Sequence, residues 1–200
     1  MLCLALDTTG PACSAALVSG GETIAADSAQ IKRGHAEYLG PQVKALLKAA
    51  GVSFGDIDRI AVCTGPGSFT GLRVALAFAK GMALPRGTDV VGISALQVWA
   101  VMADPKSGKT VLSSADVRRG EFFSQVFDKG VATGAPKLHD ADADFQVQVK
   151  TGNAYGAPHV DPVVLARLGI AADPAVALAK PLYHRPPDAK LPGGIDPFAA

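Results

Sequence analysis

One turn near the start of the chain carries the residue types best suited to bind a ligand. Asp7-Thr8-Thr9-Gly10 lies between two short apolar runs, so a carboxylate and two hydroxyls stand together between two expected strands. A carboxylate in this position can orient Mg²⁺ against nucleotide phosphates. An Asx-turn, in which the aspartate accepts a hydrogen bond from a nearby backbone N–H, explains Asp7 without a ligand. Asp7, Thr8 and Thr9 are therefore candidate cofactor-binding residues, and both interpretations stay open at this point.

A glycine-rich segment, residues 65–71, is the second candidate ligand site. Its spacing, Gly65-x-Gly67-x-x-x-Gly71, matches neither the GxGxxG of dinucleotide-binding folds nor the GxxxxGK[ST] of phosphate-binding loops. Asp89 precedes its expected strand, whereas an acid that binds ribose follows one. The spacing therefore argues against a dinucleotide-dependent oxidoreductase. The alternative to a ligand site is a tight strand-to-helix turn whose glycines let neighbouring segments pack closely.

Nucleophilic and metal-ligating residues form no cluster along the sequence. The histidines are isolated from one another, at His35, His139, His159 and His184. None belongs to an HExxH pair, which excludes a zinc or iron site built on one helix. Ser68 lies in Gly-Ser-Phe-Thr-Gly, so no GxSxG nucleophile elbow is present. A Ser/His/Asp or Cys/His arrangement stays open because such groups assemble in space, but the sequence itself predicts no catalytic residue and no metal ligand.

Composition sets limits on the class of protein. The 200 residues include 19 Lys+Arg and 18 Asp+Glu, a net charge of +1, which argues against holding nucleic acid mainly by charge. Apolar residues make up 48%, enough for a core in one domain or two small ones. No apolar run reaches the ~18 residues that span a bilayer, and residues 1–7 lack the basic start of a signal peptide. We therefore expect a cytoplasmic protein with no membrane partner, in which Cys3, Cys13 and Cys63 are buried thiols.

Apolar periodicity predicts the elements that position these residues. Strands are expected at residues 2–6, 13–18, 23–28, 59–64 and 90–93. Helices are expected at residues 39–50, at about 68–83, and from Ser94 as N-cap onward. Gly51 ends the first helix as its C′ residue, and Pro41 either lies in its first turn or kinks it. The resulting β-β-β-α-β-α-β-α order predicts a mixed sheet with helices on both faces, the architecture of a ribonuclease-H-like lobe.

A polar, turn-rich stretch at residues 104–109 predicts a boundary between an N-terminal lobe, residues 1–103, and a smaller C-terminal lobe, residues 104–200. The second lobe is expected to hold strands at 110–115, 121–127 and 145–149, short helices at 163–168 and 175–179, and a loosely ordered Pro/Gly-rich tail at 184–200. Arg118 and Arg119 join its first two strands. They form either a solvated hairpin turn or a basic lip over the cleft between the lobes.

The helix expected at residues 68–83 is apolar on more than one face. One stripe comprises Phe69, Leu72, Leu76, Ala79 and Ala83. Val74, Phe78 and Met82 lie on other faces, and a helix that is apolar all round must be covered on its far side as well. That cover is either the second lobe or a partner.

Four segments together resemble the TsaB (YeaZ) family. They are residues 4–9 (LALDTT), 32–41 (KRGHAEYLGP), 65–73 (GPGSFTGLR) and 116–121 (DVRRGE). The third is the most specific, and residues 181–185 match the end of the family's sequences weakly. The resemblance covers about the first 125 residues. It implies a bacterial protein needed for the threonylcarbamoyladenosine (t6A) modification of tRNA at position 37.

The resemblance implies a two-lobed ASKHA fold, shared with actin, Hsp70 and sugar kinases, with the second lobe reduced. It also implies a subunit that does no chemistry and pairs with a catalytic relative, TsaD, alongside the ATPase TsaE. That relative has metal-binding histidines where Ala95 and Trp99 stand here, and neither can bind a metal. No cofactor is then required. ATP or ADP would bind only weakly at Asp7, Thr8 and Thr9, and tRNA would be contacted at most indirectly.

The family pairs through the first two helices of the first lobe, with its relative or, when isolated, with itself. The expected interface residues here are His35, Leu39, Val43, Leu46, Leu72, Arg73, Val74, Ala77 and Phe78. The alternative function is an enzyme acting alone, either an ASKHA-type nucleotide hydrolase or phosphotransferase or an M22 glycoprotease-like enzyme. The absence of a ligand set in the sequence favours the scaffold.

Overall fold

Two five-stranded sheets and four α-helices form the part of the chain that the structure describes. The computed structural model describes residues 1–140, 145, 147, 149–153 and 160–183. The first sheet contains β1 (Leu2–Asp7), β2 (Ala12–Ser19), β3 (Glu22–Gln30), β4 (Arg59–Cys63) and β5 (Asp89–Ile93). The second contains β6 (Thr110–Asp116), β7 (Glu121–Asp128), β8 (Val131–Ala132), β9 (Lys137–Asp140) and β10 (Val149–Asn153). The helices are α1 (His35–Ala50), α2 (Phe69–Ala83), α3 (Ala95–Ala103) and α4 (Pro162–Ala171), with a short 3₁₀ helix at Phe54–Asp56.

The first sheet has the mixed topology that the sequence predicts. Its strand order is β3-β2-β1-β4-β5, with β1, β2 and β3 antiparallel and β4 and β5 parallel to β1. Short turns can join only antiparallel neighbours, whereas parallel strands need a helical crossover. The carboxyl ends of β1, β4 and β5 therefore lie at one edge of the sheet. This edge brings residues 7–10, which we call the Asp7 turn, beside residues 65–71, which we call the glycine loop.

Side-chain alternation along β1 divides the core between two helical layers. Leu4 and Leu6 pack with α1 and α2, while Cys3 and Ala5 pack with α3 and α4. Successive side chains of a strand point to opposite faces, so one short strand contributes to both layers. The prediction of helices on both faces of the sheet is confirmed.

Local sequence signals set the ends of the helices. Gly51 adopts a left-handed conformation (φ 67°) after α1, and Ser68 caps α2 by accepting a hydrogen bond from the Gly71 N–H at 3.3 Å. Ser94 caps α3 in the same way, accepting from the Gln97 N–H at 3.1 Å. Pro41 lies inside α1, beyond its first turn. Phe69 is 47% exposed, so it does not belong to the buried stripe of α2 as the sequence predicted.

The second sheet begins with the two strands predicted after residue 109. β6 and β7 are antiparallel and joined by a turn in which Arg118 and Arg119 are exposed and have positive φ values of 69° and 61°. This matches a solvated hairpin turn, the first of the two interpretations. The predicted strand at 145–149 is wrong for Phe145 and Val147, which lie before β10; residues 146 and 148 are outside the described part.

After the second sheet the chain returns to the first. Helix α4 passes so close to β4 that a Cβ added at Gly169 would overlap that of Ala61. Arg59 on β4 donates hydrogen bonds from Nη1 to the carbonyls of Gly169, Ile170 and Ala172 at 3.1, 3.2 and 2.8 Å. These bonds add donors for carbonyls in the last turn of α4 and in the residue after it, where the helix itself supplies few N–H groups. The division of the chain at residues 103 and 104 stays a prediction, and α4 packs on the first sheet.

The segment after α4 differs from its prediction. Residues 175–179 form a turn and a single β-bridge between Leu178 and Val91, where the sequence predicted a helix. The Gly92 N–H donates to the Ala177 carbonyl at 2.9 Å, because the edge of β5 offers backbone groups that need partners. The predicted tail at 184–200 lies outside the described residues. In the described part of the chain, no helix has the length and apolar character needed to cross a membrane.

Candidate functional site

The Asp7 turn is held by hydrogen bonds from its own residues. Asp7 Oδ1 accepts from the Thr9 N–H at 3.0 Å and from the Thr9 hydroxyl at 2.7 Å. Asp7 and Thr8 are fully buried and Thr9 is 5% exposed. The Asx-turn that the sequence offered as one interpretation is therefore present. These contacts account for the conformation of the turn and involve no ligand.

The glycine loop and the start of α2 close over the Asp7 turn. The Thr8 hydroxyl donates to the Gly71 carbonyl at 2.6 Å, and the Ser68 N–H donates to the Thr9 carbonyl at 2.7 Å. A Cβ added at Gly67 would lie 2.6 Å from the Thr9 carbonyl oxygen, and one added at Gly71 would overlap that of Thr8. These glycines permit close packing of loop on turn, which is the alternative that the sequence left open for this segment. The threonine hydroxyls consequently bond within the chain.

Three buried cysteines without disulfide bonds lie in the core on the two faces of the first sheet. Cys63 Sγ lies 3.7 Å from the Thr9 hydroxyl, and its pKa is raised well above the ordinary value by burial first and by the charge of Asp7 second. Burial likewise raises the pKa of Cys3 and of Cys13 to about 12. The prediction of buried thiols is confirmed. At neutral pH they are protonated, so they are poor nucleophiles and poor metal ligands.

The described histidines occupy separate places. His35 is half-buried at the start of α1, and its Nε2 lies 3.2 Å from the Gly10 carbonyl, which ties that helix to the Asp7 turn. His139 lies on β9 in the second sheet. His159 and His184 lie outside the described residues. Among the described residues, no three His, Cys, Asp or Glu side chains come together as a metal site.

One serine and one histidine meet on the second sheet, a pairing that the sequence could not show. Ser124 Oγ lies 2.7 Å from His139 Nε2 and donates its proton to Ser114 Oγ at 2.6 Å. A serine nucleophile must be reachable by its substrate. Ser124 is only 4% exposed, so its hydroxyl is closed off from a substrate. The pair therefore links neighbouring strands. The pairing of β7 with β6 and with β9 brings the two side chains together.

The predicted partner interface divides into buried and accessible residues. Leu39, Val43, Leu46 and Leu72 are between 0% and 6% exposed and belong to the buried apolar core. Their assignment to a partner surface needs correction, because they hold α1 and α2 on the sheet. Arg73 and Ala77 are exposed, and His35, Val74 and Phe78 are half-buried. These five accessible residues are called the helix-pair face below, together with the exposed side chains of α1.

An aromatic cluster beside this face was missing from the predicted site. The rings of Phe69 and Tyr183 lie 5.3 Å apart, and the Arg73 guanidinium stacks 3.8 Å from the centre of the Phe69 ring. Arg73 Nε also donates to the Tyr183 hydroxyl at 3.4 Å. The Leu182 N–H donates to the Thr64 carbonyl at 2.8 Å, which places Tyr183 near the glycine loop. In the sequence, the weak family match at residues 181–185 marked this segment but did not indicate that Tyr183 contacts Phe69 and Arg73.

The chain is similar to known proteins along most of its length. A family model described as "TsaD: tRNA N6-adenosine threonylcarbamoyltransferase" matches residues 27–163. An uncharacterized protein of Mycobacterium tuberculosis is 33% identical over 94% of this chain and 93% of its own length. A Pseudomonas aeruginosa structure titled as similar to peptidase YEAZ superposes with a TM-score of 0.73 at 27% identity, over 92% of this chain and 99% of that one. The chain belongs to the TsaB (YeaZ) family.

TsaB proteins from two other bacteria match the first part of the chain. The Escherichia coli tRNA threonylcarbamoyladenosine biosynthesis protein TsaB is 40% identical over 62% of this chain and 53% of its own length. The Haemophilus influenzae TsaB is 38% identical over 62% of this chain and 52% of its own length. The match thus spans about half the length of these two relatives. The TsaB fold predicted from the motifs, mixed α/β with two mixed sheets, is confirmed.

Proposed function

We propose that the chain is a non-catalytic subunit that binds and activates a TsaD-type threonylcarbamoyltransferase for t6A modification of tRNA position 37. One observation supports the non-catalytic part of this proposal. Where α2 closes over the Asp7 turn, the hydroxyls of Thr8 and Thr9 are engaged in hydrogen bonds within the chain. Family membership supplies the pathway, since the E. coli and H. influenzae relatives are named for t6A biosynthesis. The comparison with the TsaD family model supports a partner of related fold.

The helix-pair face supports a pairing role. Val74 and Phe78 are half-buried, and Ala77 is exposed on the outer side of α2. A protein interface typically has an apolar centre with a polar rim, which these residues and the surrounding lysines provide. In this proposal the TsaD-type subunit docks there, a TsaE-type ATPase joins the complex, and an isolated chain uses the same face for a homodimer. The complex works in the cytoplasm, and tRNA touches this subunit at most indirectly.

Formation of modified tRNA in a reconstituted reaction, with and without this chain, tests the proposal. The chain requires no cofactor and no metal of its own in this account. Its core thiols are protonated, and Ala95 and Trp99 are buried where the catalytic relative is expected to hold histidines. A requirement for the chain together with its partner, and no product from the chain alone, is the expected result.

An ASKHA-type nucleotide hydrolase acting alone is the second candidate function. One observation favours it: Asp7 is a fully buried carboxylate beside the sheet edge where strands β1, β4 and β5 end. Burying a carboxylate is costly, and such groups often serve a site. The same position also fits weak ATP or ADP binding by a subunit that has no activity. An M22 glycoprotease-like activity has no comparable support among the described residues, because Ser124 is buried and the raised pKa values keep the thiols protonated.

Replacement of Asp7 separates the structural and the nucleotide roles. Asp7→Asn keeps an oxygen that can accept the Thr9 N–H and removes the charge that would orient Mg²⁺. We expect any ATP affinity measured by titration calorimetry to be weak and to change less than about twofold in Asp7→Asn, because the turn is closed. Asp7→Ala, which also removes the Asx-turn, serves as the structural control. A tenfold loss of affinity in Asp7→Asn, with unchanged thermal stability, would assign the nucleotide site to Asp7.

A further inference from the structure

The segment after α4 ends beside the glycine loop. Residues 177–183, called the strap below, follow the edge of β5 and then cross the end of β4. At β5 the strap packs so closely that a Cβ added at Gly92 would lie 2.5 Å from the Leu178 carbonyl oxygen. At β4 the Leu182 N–H donates to the Thr64 carbonyl at 2.8 Å. The strap is therefore fixed to the first sheet as far as Leu182.

Tyr183, the next residue of the strap, reaches the far side of the glycine loop. Its ring lies 5.3 Å from the ring of Phe69, which is the first residue of α2. Thr64, the partner of Leu182, comes directly before the loop. Two adjacent residues of the strap therefore contact the chain on both sides of residues 65–68, so the strap joins the two ends of this part of the loop.

The far side of the loop covers the Asp7 turn. Asp7 is fully buried, so a ligand can reach its carboxylate only if a covering element moves. The glycine loop is one such element, since the Ser68 N–H donates to the Thr9 carbonyl at 2.7 Å. The start of the loop is held separately, because the Gly65 carbonyl accepts from the Ala95 N–H of α3 at 2.7 Å. Movement that uncovers the turn must therefore occur on the side that Tyr183 contacts.

We propose that Tyr183 is a positioning residue that locks the glycine loop on the Asp7 turn, so that the end of the strap controls access to Asp7. The Phe69 ring is held between the Tyr183 ring and the Arg73 guanidinium, which lies 3.8 Å from its centre. Phe69 and Tyr183 are nevertheless 47% and 40% exposed. Surface contacts of this kind can open locally without unfolding of the core. The inference goes beyond the proposed function and needs no partner.

Amide hydrogen exchange of the full chain, followed by NMR, tests the lock. The Ser68 amide reports on the loop because its acceptor is the Thr9 carbonyl of the Asp7 turn. The Thr64 amide, which donates to the Ile93 carbonyl at 2.9 Å, is the reference within the sheet. Tyr183→Ala should accelerate exchange at Ser68 by about fivefold or more, because the aromatic contact no longer holds the loop closed. Exchange at Thr64 should stay unchanged.

A double-mutant cycle assigns the effect to the contact between the two rings. Phe69→Ala removes the other ring and should accelerate exchange at Ser68 to a similar degree. The double variant should exchange within about twofold of the faster single variant, because either substitution already removes the contact. Val176→Ala is the matched control, since Val176 is 78% exposed and lies directly before the strap. It should change exchange at Ser68 by less than about twofold.

Three results would overturn the lock. One is unchanged exchange at Ser68 in Tyr183→Ala. Another is equal acceleration at Ser68 and Thr64, because it would report a loss of stability throughout the first sheet. The third is additive effects in the double variant, because the two rings would then act separately. None of these results bears on the proposed pairing with a TsaD-type protein, which the reconstituted reaction tests.

Discussion

Val74→Glu is expected to abolish the complex between this chain and its TsaD-type partner while leaving the chain folded. Val74 is half-buried on α2, outside the fully buried stripe of Leu72, Leu76 and Ala79, so a glutamate there can reach water in the free chain. In the complex its carboxylate would be desolvated at an apolar centre. A central interface residue is typically worth ~2 kcal/mol or more, which is about 30-fold in affinity. Titration calorimetry with the partner measures the loss.

The matched control is Val176→Glu, because Val176 is 78% exposed on the segment after α4 and lies outside the helix-pair face. It introduces the same side chain at a surface with no proposed role. Circular dichroism of both variants reports whether they fold. Phe78→Glu should behave like Val74→Glu, and both should convert any homodimer to monomer. Full partner binding by a folded Val74→Glu variant would place the interface elsewhere.

Gly71→Ala is expected to destabilise the protein, unlike the same substitution at Gly81, the other glycine of α2. The added Cβ would overlap the Thr8 carbonyl oxygen, which belongs to the backbone of the Asp7 turn and has little room to move. Either α2 or the turn must shift, and the Thr8 hydrogen bond to the Gly71 carbonyl would be disturbed. Overpacking of this kind typically costs ~1–3 kcal/mol. Urea unfolding followed by circular dichroism measures the change in the free energy of unfolding.

Gly81→Ala is the control in the same helix. A Cβ added at Gly81 meets nothing within 4 Å, and the residue is exposed. Alanine should stabilise this helical position by about 0.5–1 kcal/mol, since glycine loses more backbone entropy on folding. The two substitutions thus have opposite expected signs. Equal stabilities for the two variants would show that the loop does not pack on the turn as described.

Local patterns were sufficient to predict the first sheet and the helices α1, α2 and α3. The strands around the Asp7 turn alternate or run apolar, the N-caps Ser68 and Ser94 stand at the starts of their helices, and Gly51 ends α1. These signals act over a few residues, so they can be read without knowledge of tertiary contacts. The helix predicted at 175–179 was wrong because tertiary contacts outweigh the local pattern there. Its residues favour a helix locally, but the backbone groups at the edge of β5 pair with Ala177 and Leu178 instead.

Part of the candidate site was predicted from the sequence, and the rest depends on tertiary contacts that local patterns do not show. Asp7 and the glycine loop stand out in the sequence, but only the fold shows that the loop closes the turn. The helical pattern of α1 and α2 identified apolar residues without showing which side the sheet covers. Leu39 and Leu72 were therefore assigned to a partner, although they form the core. Tyr183 is more than 100 residues from Phe69 in sequence, and no local pattern indicates their contact.

Formation of t6A in a reconstituted reaction is the measurement that tests the central claim most directly. The chain, a TsaD-type protein and a TsaE-type ATPase from the same cell are mixed with tRNA, ATP and the activated threonylcarbamoyl donor, and digested tRNA is analysed by mass spectrometry. The account predicts t6A only when both the chain and the TsaD-type protein are present, and loss of that product with Val74→Glu. Modified tRNA formed by the chain alone, or formed equally well without it, would contradict the account.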